Sequence, residues 1–138
     1  MTETDIKNKN LVLISYLNTI ITGYKIKAEF STNDNDLKVV VCQETSGNKI
    51  VFFNNDNALF NYFEINVYGD NIQDQYEVIN DIGRLIGKSV LIDYTANKET
   101  QKWQLIFKQM ANPRAIEYMN IRRVAYTTTL QCIVNRVA

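Results

Sequence analysis

Asp70, Asp74, Asp81 and Asp93 are carboxylates that could build a hard-cation site or an acid–base pair. Their spacing fits no calcium-binding loop, and separation along the chain by itself defines no glycosidase pair. Capping and solvation account for most of them, since Asp70 stands where a helix should start and Asp74 and Asp81 fall off its apolar stripe. There is no histidine in the chain, which removes a histidine general base, a Ser-His-Asp triad, a Cys-His dyad and histidine zinc ligands. Gly83-Arg-Leu-Ile-Gly87-Lys88-Ser89 invites comparison with the phosphate-binding loop, but Ile82 occupies the position of that motif's first glycine. The segment also ends a helix instead of feeding one, so free helix N–H groups would not face a phosphate. Gly83 is better read as permitting close helix-to-sheet approach, and Gly87 as the helix terminator.

Cys42 and Cys132 lie far apart in apolar, strand-like runs with no C-x-x-C spacing, the pattern of buried free thiols in an intracellular protein. Arg114, Arg122 and Arg123, with Tyr118 and Tyr126 close by, form the one basic concentration. Arginine and tyrosine are enriched at protein interfaces, so these residues are candidates for contact with a carboxylate-bearing neighbour; a solvated strand end is the plainer alternative. Nucleic-acid binding would ask for more cations and several stacking aromatics on one surface.

The elements that must position these groups centre on the stretch from Tyr62 to Gly87. Phe63, Ile65 and Val67 alternate with polar neighbours, which predicts a strand with one apolar face. Gly69 and Asp70 break it, and Ile72, Tyr76, Ile79, Ile82 and Ile86 then recur at helical spacing, with Asp70 and Gln73 placed as a capping box. The helix is therefore expected to cover the strand through that stripe.

Upstream, Thr2 and Asp5 are spaced as a cap for a helix whose stripe is Leu13, Leu17, Ile20, Ile21 and Tyr24, ending at Gly23. Lys25 to Phe30 reads as a short edge strand and Ser31 to Asp36 as a turn. Leu37 to Glu44 is apolar on both faces, as an internal strand would be, and Ser46-Gly47-Asn48 predicts a hairpin pairing it with Lys49 to Phe53. Asn54 to Asn57 supplies the next turn. Downstream, Ser89 to Thr95 and Lys102 to Gln109 are expected to pair around Ala96 to Thr100, with Trp103, Leu105 and Phe107 inward. Met110 to Asn120 reads as a long connection with one helical turn at Ala115 to Tyr118. Arg123 to Val137 is the final strand, with Val124, Tyr126, Thr128, Leu130, Cys132 and Val134 on one side, long enough to suggest a bulge or a free projecting end.

At 138 residues the chain is the size of one domain spanning 1–138, and the order of elements predicts α+β with two helices on one face of a mainly antiparallel sheet. Fifteen basic and fifteen acidic side chains cancel, so bulk charge gives no reason to expect nucleic acid or an anionic membrane as partner. No apolar run exceeds four residues, Leu11 to Ile14 being one of that length, which is far short of a membrane span, and the first residues are acidic, which predicts a soluble, unexported chain.

Phe63-Glu-Ile-Asn-Val-Tyr-Gly-Asp70, the helix through Ile79-Asn-Asp-Ile-Gly83, Asn112-Pro113-Arg114 and the closing Tyr126-Thr-Thr-Thr-Leu130 together resemble the tail-terminator and neck proteins of tailed bacteriophages, over most of the chain from about Ala58 onward. The resemblance implies a non-enzymatic α+β virion subunit, assembled in the host bacterial cytoplasm, without cofactor or metal. It implies a ring, typically hexameric, that caps the tail tube and joins it to the head–tail connector or stopper. The partners are then further copies of the chain, the tail-tube protein and the connector, with no membrane, small-molecule substrate or specific nucleic acid. Arg114, Tyr118, Arg122 and Arg123 are the expected subunit contact. The alternatives of another class are a small metal-dependent hydrolase using some of Glu64, Asp70, Asp74 and Asp93, and a nucleic-acid-binding accessory protein.

Overall fold

A computed structural model describes residues 3–28, 38–44, 50–51, 59–69, 72–118 and 123–138. The chain order is α1 (Glu3–Ile20), β1 (Lys25–Lys27), β2 (Val39–Glu44), β3 (Ile50–Val51), β4 (Leu59–Gly69), α2 (Ile72–Gly83), β5 (Ser89–Ala96), β6 (Glu99–Met110), β7 (Arg114–Tyr118) and β8 (Arg123–Arg136). One sheet holds all the strands in the order β1-β2-β4-β8-β6-β5, with β3 paired to β4 and β7 to β8. The fold is α+β as expected. The sheet is mixed, because β1 runs parallel to β2 while the other pairings are antiparallel.

Alternation decides the layers. Phe63, Ile65 and Val67 of β4, Leu130, Cys132 and Val134 of β8, Trp103, Leu105 and Phe107 of β6, and Val40 and Cys42 of β2 all point to one buried cluster. Both helices pack into it, α1 through Val12, Leu13, Ile14 and Leu17, and α2 through Val78, Ile79 and Ile82. On the opposite face Val39, Val41 and Tyr68 form a small cluster of their own, which is why β2 reads as apolar on both sides. The hairpin between β5 and β6 closes through Asn97 and Lys98, whose φ values of 51° and 66° give a tight turn.

Several expectations are corrected. In α2, Ile72 is 55% exposed and Tyr76 is half exposed, while Gln75 and Val78 are buried beside Ile79 and Ile82. The helix is thus rolled toward Gln75, and Tyr76 meets the rim of the sheet through an edge-on contact with Tyr126 at 5.9 Å. In α1, Ile20 lies in the last turn and is exposed, whereas Ile21 is buried. A hairpin between β2 and β3 was expected; among the described residues both pair instead with β4, β2 at residues 63–68 and β3 at residues 59–60. The helical turn expected at Ala115 to Tyr118 is strand β7, which lies beside the first half of β8 and supplies ladder partners there. The bulge sits in β6, between Phe107 and Gln109, and not in β8. The end of β8 does not project freely, since Val137 N–H donates to Lys102 O at 2.8 Å and Lys102 N–H donates to Ala138 O at 3.0 Å. The turns expected at Ser31 to Asp36, Ser46 to Asn48 and Asn54 to Asn57, and the caps at Thr2 and Asp70, lie outside the described residues. Among those described, no helix is long and apolar enough to cross a membrane.

Candidate subunit interface

Arg114 begins β7 opposite Thr127, which in turn lies opposite Asn66 of β4 and, beyond it, Val41 of β2. Because Leu130, Cys132 and Val134 face the helices, the odd-numbered positions of β8 face away, and Arg114 shares the helix-free face with Thr127. Its side chain is exposed. It lines a hollow of about 280 Å³ together with Glu64, Ala111, Asn112 and Thr127 to Thr129. Two bonds fix the rim of that hollow: Ala111 N–H donates to Thr129 O at 2.9 Å, and Thr128 Oγ1 donates to Ala111 O at 2.6 Å. Glu64 accepts a bond from Asn66 Nδ2 at 3.0 Å. The hollow therefore sets a carboxylate on β4 and a guanidinium on β7 on either side of the threonines of β8, a polar surface suited to groups carried by another chain.

The outer edges of the sheet differ in how they are finished. Ile26 of β1 turns its N–H and C=O outward, and the side-chain amide of Asn18 takes both, accepting from Ile26 N at 3.3 Å and donating to Ile26 O at 3.4 Å. That edge is also only three residues long and carries Lys25 and Lys27, so it is short, charged and capped, the usual protection against pairing with another chain. At the other end, β5 is eight residues long and pairs among the described residues only with β6. Val90, Ile92 and Tyr94 pack toward the core, leaving Ser89, Leu91, Asp93 and Thr95 on the helix-free face, with Leu91 69% exposed. No lysine, proline or bulge interrupts this edge.

Of the residues singled out from the sequence, Arg114 lies on an exposed strand end, and Tyr118 and Arg123 are placed opposite each other at the mouth of the β7–β8 pair. The side chains of Tyr118 and Arg123 and the whole of Arg122 lie outside the described residues. The carboxylates are dispersed: Asp74 is 3.5 Å from Lys38 Nζ, Asp81 is 3.1 Å from Arg84 on the exposed side of α2, Asp93 is on β5 and Glu64 on β4. Among the described residues no three of His, Cys, Asp and Glu gather as a metal site would require. At Gly87, φ is +88° and the N–H donates to Phe107 O at 2.8 Å, while Lys88 N–H donates to Leu85 O at 2.9 Å. In the segment compared with a phosphate loop, the Gly87 donor thus joins the end of α2 to β6 and the Lys88 donor closes the turn itself.

Both cysteines are free and buried. Burial pushes the Cys42 thiol up to about 12, and burial, reinforced by the neighbouring Cys42, raises Cys132 further. They are packing groups and not nucleophiles at neutral pH. Sequence reasoning missed the β5 edge. Its signal was Leu91, an aliphatic residue in the otherwise polar register of Ser89, Asp93 and Thr95. No protein-family model matches the chain, and a search of curated proteins finds no match to it.

Proposed function

We propose that the chain is a structural subunit of a tailed-phage neck, a tail terminator whose copies close into a ring on the tail tube and present a face to the head connector. The observation that carries this reading is the asymmetry of the sheet. A head-to-tail ring requires two different, complementary surfaces on each subunit, and β5 and β7 are two unlike strands whose outer sides have no strand partner among the described residues. The α+β architecture with both helices on one face and the sequence resemblance from about Ala58 onward point the same way. The role asks for surfaces and not for a substrate site, and it needs no turnover.

The test is attachment to purified tails, imaged directly, with the parent protein, with Arg114→Ala, and with Arg122→Ala and Arg123→Ala combined. The parent should cap tail ends as a ring, and the variants should unfold normally but cap poorly. A parent protein that leaves tail ends bare under all conditions would rule the reading out.

A further inference from the structure

Pairing with β6 uses only half of the backbone groups of β5. Phe107 N–H donates to Lys88 O at 3.0 Å. An antiparallel ladder repeats at every second residue, so Val90, Ile92, Tyr94 and Ala96 turn their N–H and C=O toward β6, while Ser89, Leu91, Asp93 and Thr95 turn theirs to the open edge. The side chains of those four residues are exposed on the helix-free face. On the other face Val90, Ile92 and Tyr94 are only half-buried, where Trp103, Leu105 and Phe107 of β6 are fully buried. The edge thus carries outward backbone groups and an incomplete apolar row on each face, Leu91 on one and Val90 with Ile92 on the other, which one further strand completes.

We infer that this strand is β5 of a second copy, paired antiparallel about a two-fold axis that runs perpendicular to the sheet at Leu91. Such a rotation reverses the strand and keeps its faces, so the helix-covered layer of one copy meets that of the other. The registers that preserve the faces differ in where the axis falls. At Asp93 it opposes two carboxylates, at Ile92 it sets Leu91 against Asp93, and at Val90 it sets Leu91 against Ser89. At Leu91 the two leucines stand opposite each other, Ser89 stands opposite Asp93 of the second copy, twice by symmetry, and Val90 stands opposite Ile92. Ser89, Leu91 and Asp93 then form narrow pairs that exchange about six backbone hydrogen bonds across the axis.

The occupant is a second copy because the edge is complementary to itself in that register. Leucine meets leucine, a hydroxyl donor meets a carboxylate, and no like charges are opposed. Asp93 already has Lys102 opposite it within its own chain, so the contact asks of the second copy a neutral donor and not another cation. At the other end of the sheet β1 is short and closed by Asn18, and it does not compete. An isologous contact closes at two copies. It therefore builds a dimer of the free protein and covers β5, one of the two surfaces assigned to the ring, so that the pair must open before copies join head to tail. That last consequence rests on the ring reading; the dimer itself does not.

The test uses the full chain. The parent should sediment as a species of twice the subunit mass, and Leu91→Lys, a change at a residue 69% exposed, should unfold normally but dimerise at least about tenfold more weakly. Directly opposed residues of an antiparallel pair have Cα atoms about 4.5–5.5 Å apart, within reach of a disulfide. Under mild oxidation Leu91→Cys should give a covalent dimer and nothing larger, whereas Thr95→Cys, which falls opposite Gly87 of the second copy, should lag well behind; Cys42 and Cys132 are buried and should stay silent. A parent that is monomeric or larger than a dimer, a Leu91→Lys variant that dimerises like the parent, or equal cross-linking of the two cysteine variants would overturn the dimer. On purified tails the oxidised Leu91→Cys dimer should fail to cap and its reduced form should cap; equal capping by both would overturn the opening step. If the dimer forms while the parent leaves tails bare, the ring reading falls and the dimer stands; if the parent caps tails without dimerising in solution, the reverse holds.

Discussion

Asn10 and Cys42 exchange two hydrogen bonds: Asn10 Nδ2 donates to the Cys42 carbonyl at 3.1 Å, and the Cys42 thiol donates to Asn10 Oδ1 at 3.7 Å. The place explains the arrangement. β1 accompanies β2 only as far as Val41, so Cys42 is the first residue of β2 left without a strand on that side, and α1 supplies an amide in its stead. Eight residues on, Asn18 does the same for Ile26, which puts both asparagines on one face of the helix, two turns apart. Asn10→Ala should cost about 1–3 kcal/mol, because a buried carbonyl loses its donor. Denaturant unfolding checks this, and an unchanged midpoint would mean that water replaces the amide without loss.

The thiols predict an alkaline loss of stability. A cysteine titrates near 8.5 when unfolded, whereas folded Cys42 is held up at about 12 by burial and Cys132 is raised as well. The folded state therefore keeps protons that the unfolded state releases. Stability from this source is complete below about pH 8.5 and falls as pH rises toward the folded value, by up to about 1.4 kcal/mol per pH unit for each thiol. Unfolding at pH 7.5 and pH 10, compared with Cys42→Ala combined with Cys132→Ala, isolates the effect: the parent should show the steeper decline, and equal slopes would contradict it.

Rotation of α2 about its axis can be read from two isoleucines. Ile79 is 1% exposed and Ile72 is 55% exposed. Ile79→Ala should cost about 2–5 kcal/mol, and Ile72→Ala less than about 0.5 kcal/mol. Comparable losses in the two variants would show that the helix sits on a different face.

Trp103 tests the polar accounting of the core. Its indole N–H donates to Gln101 Oε1 at 3.0 Å, with both residues buried on the same side of β6. Gln101→Leu keeps the volume roughly but strands the N–H, so a loss of about 1–3 kcal/mol is expected in thermal or denaturant unfolding. A neutral or stabilising result would mean that the indole finds another acceptor.

What the sequence determined by itself was the set of elements whose burial is written in strict alternation or in a doubled apolar pattern. Phe63, Ile65 and Val67, Trp103, Leu105 and Phe107, and Leu130, Cys132 and Val134 each face the core as their spacing requires, because a strand has only two sides and a one-residue slip would bury the polar set. The α+β class followed from the order of those elements. Helix rotation did not, since Ile72 is as apolar as Ile79 and Ile82, and only the position of α2 over the sheet decides which side of the cylinder is covered. Pairing was equally beyond local reading. Whether β2 joins β3 or both join β4, and whether the segment after Met110 stays a loop or becomes β7 beside β8, depends on strands far away in sequence whose free N–H and C=O groups must be matched. The same long-range choice settled which ends of the sheet are sealed: Asn18 is an ordinary helical asparagine until tertiary structure carries β1 beside it, and Leu91 is an ordinary strand leucine until it is left at an edge with no strand beyond it among the described residues.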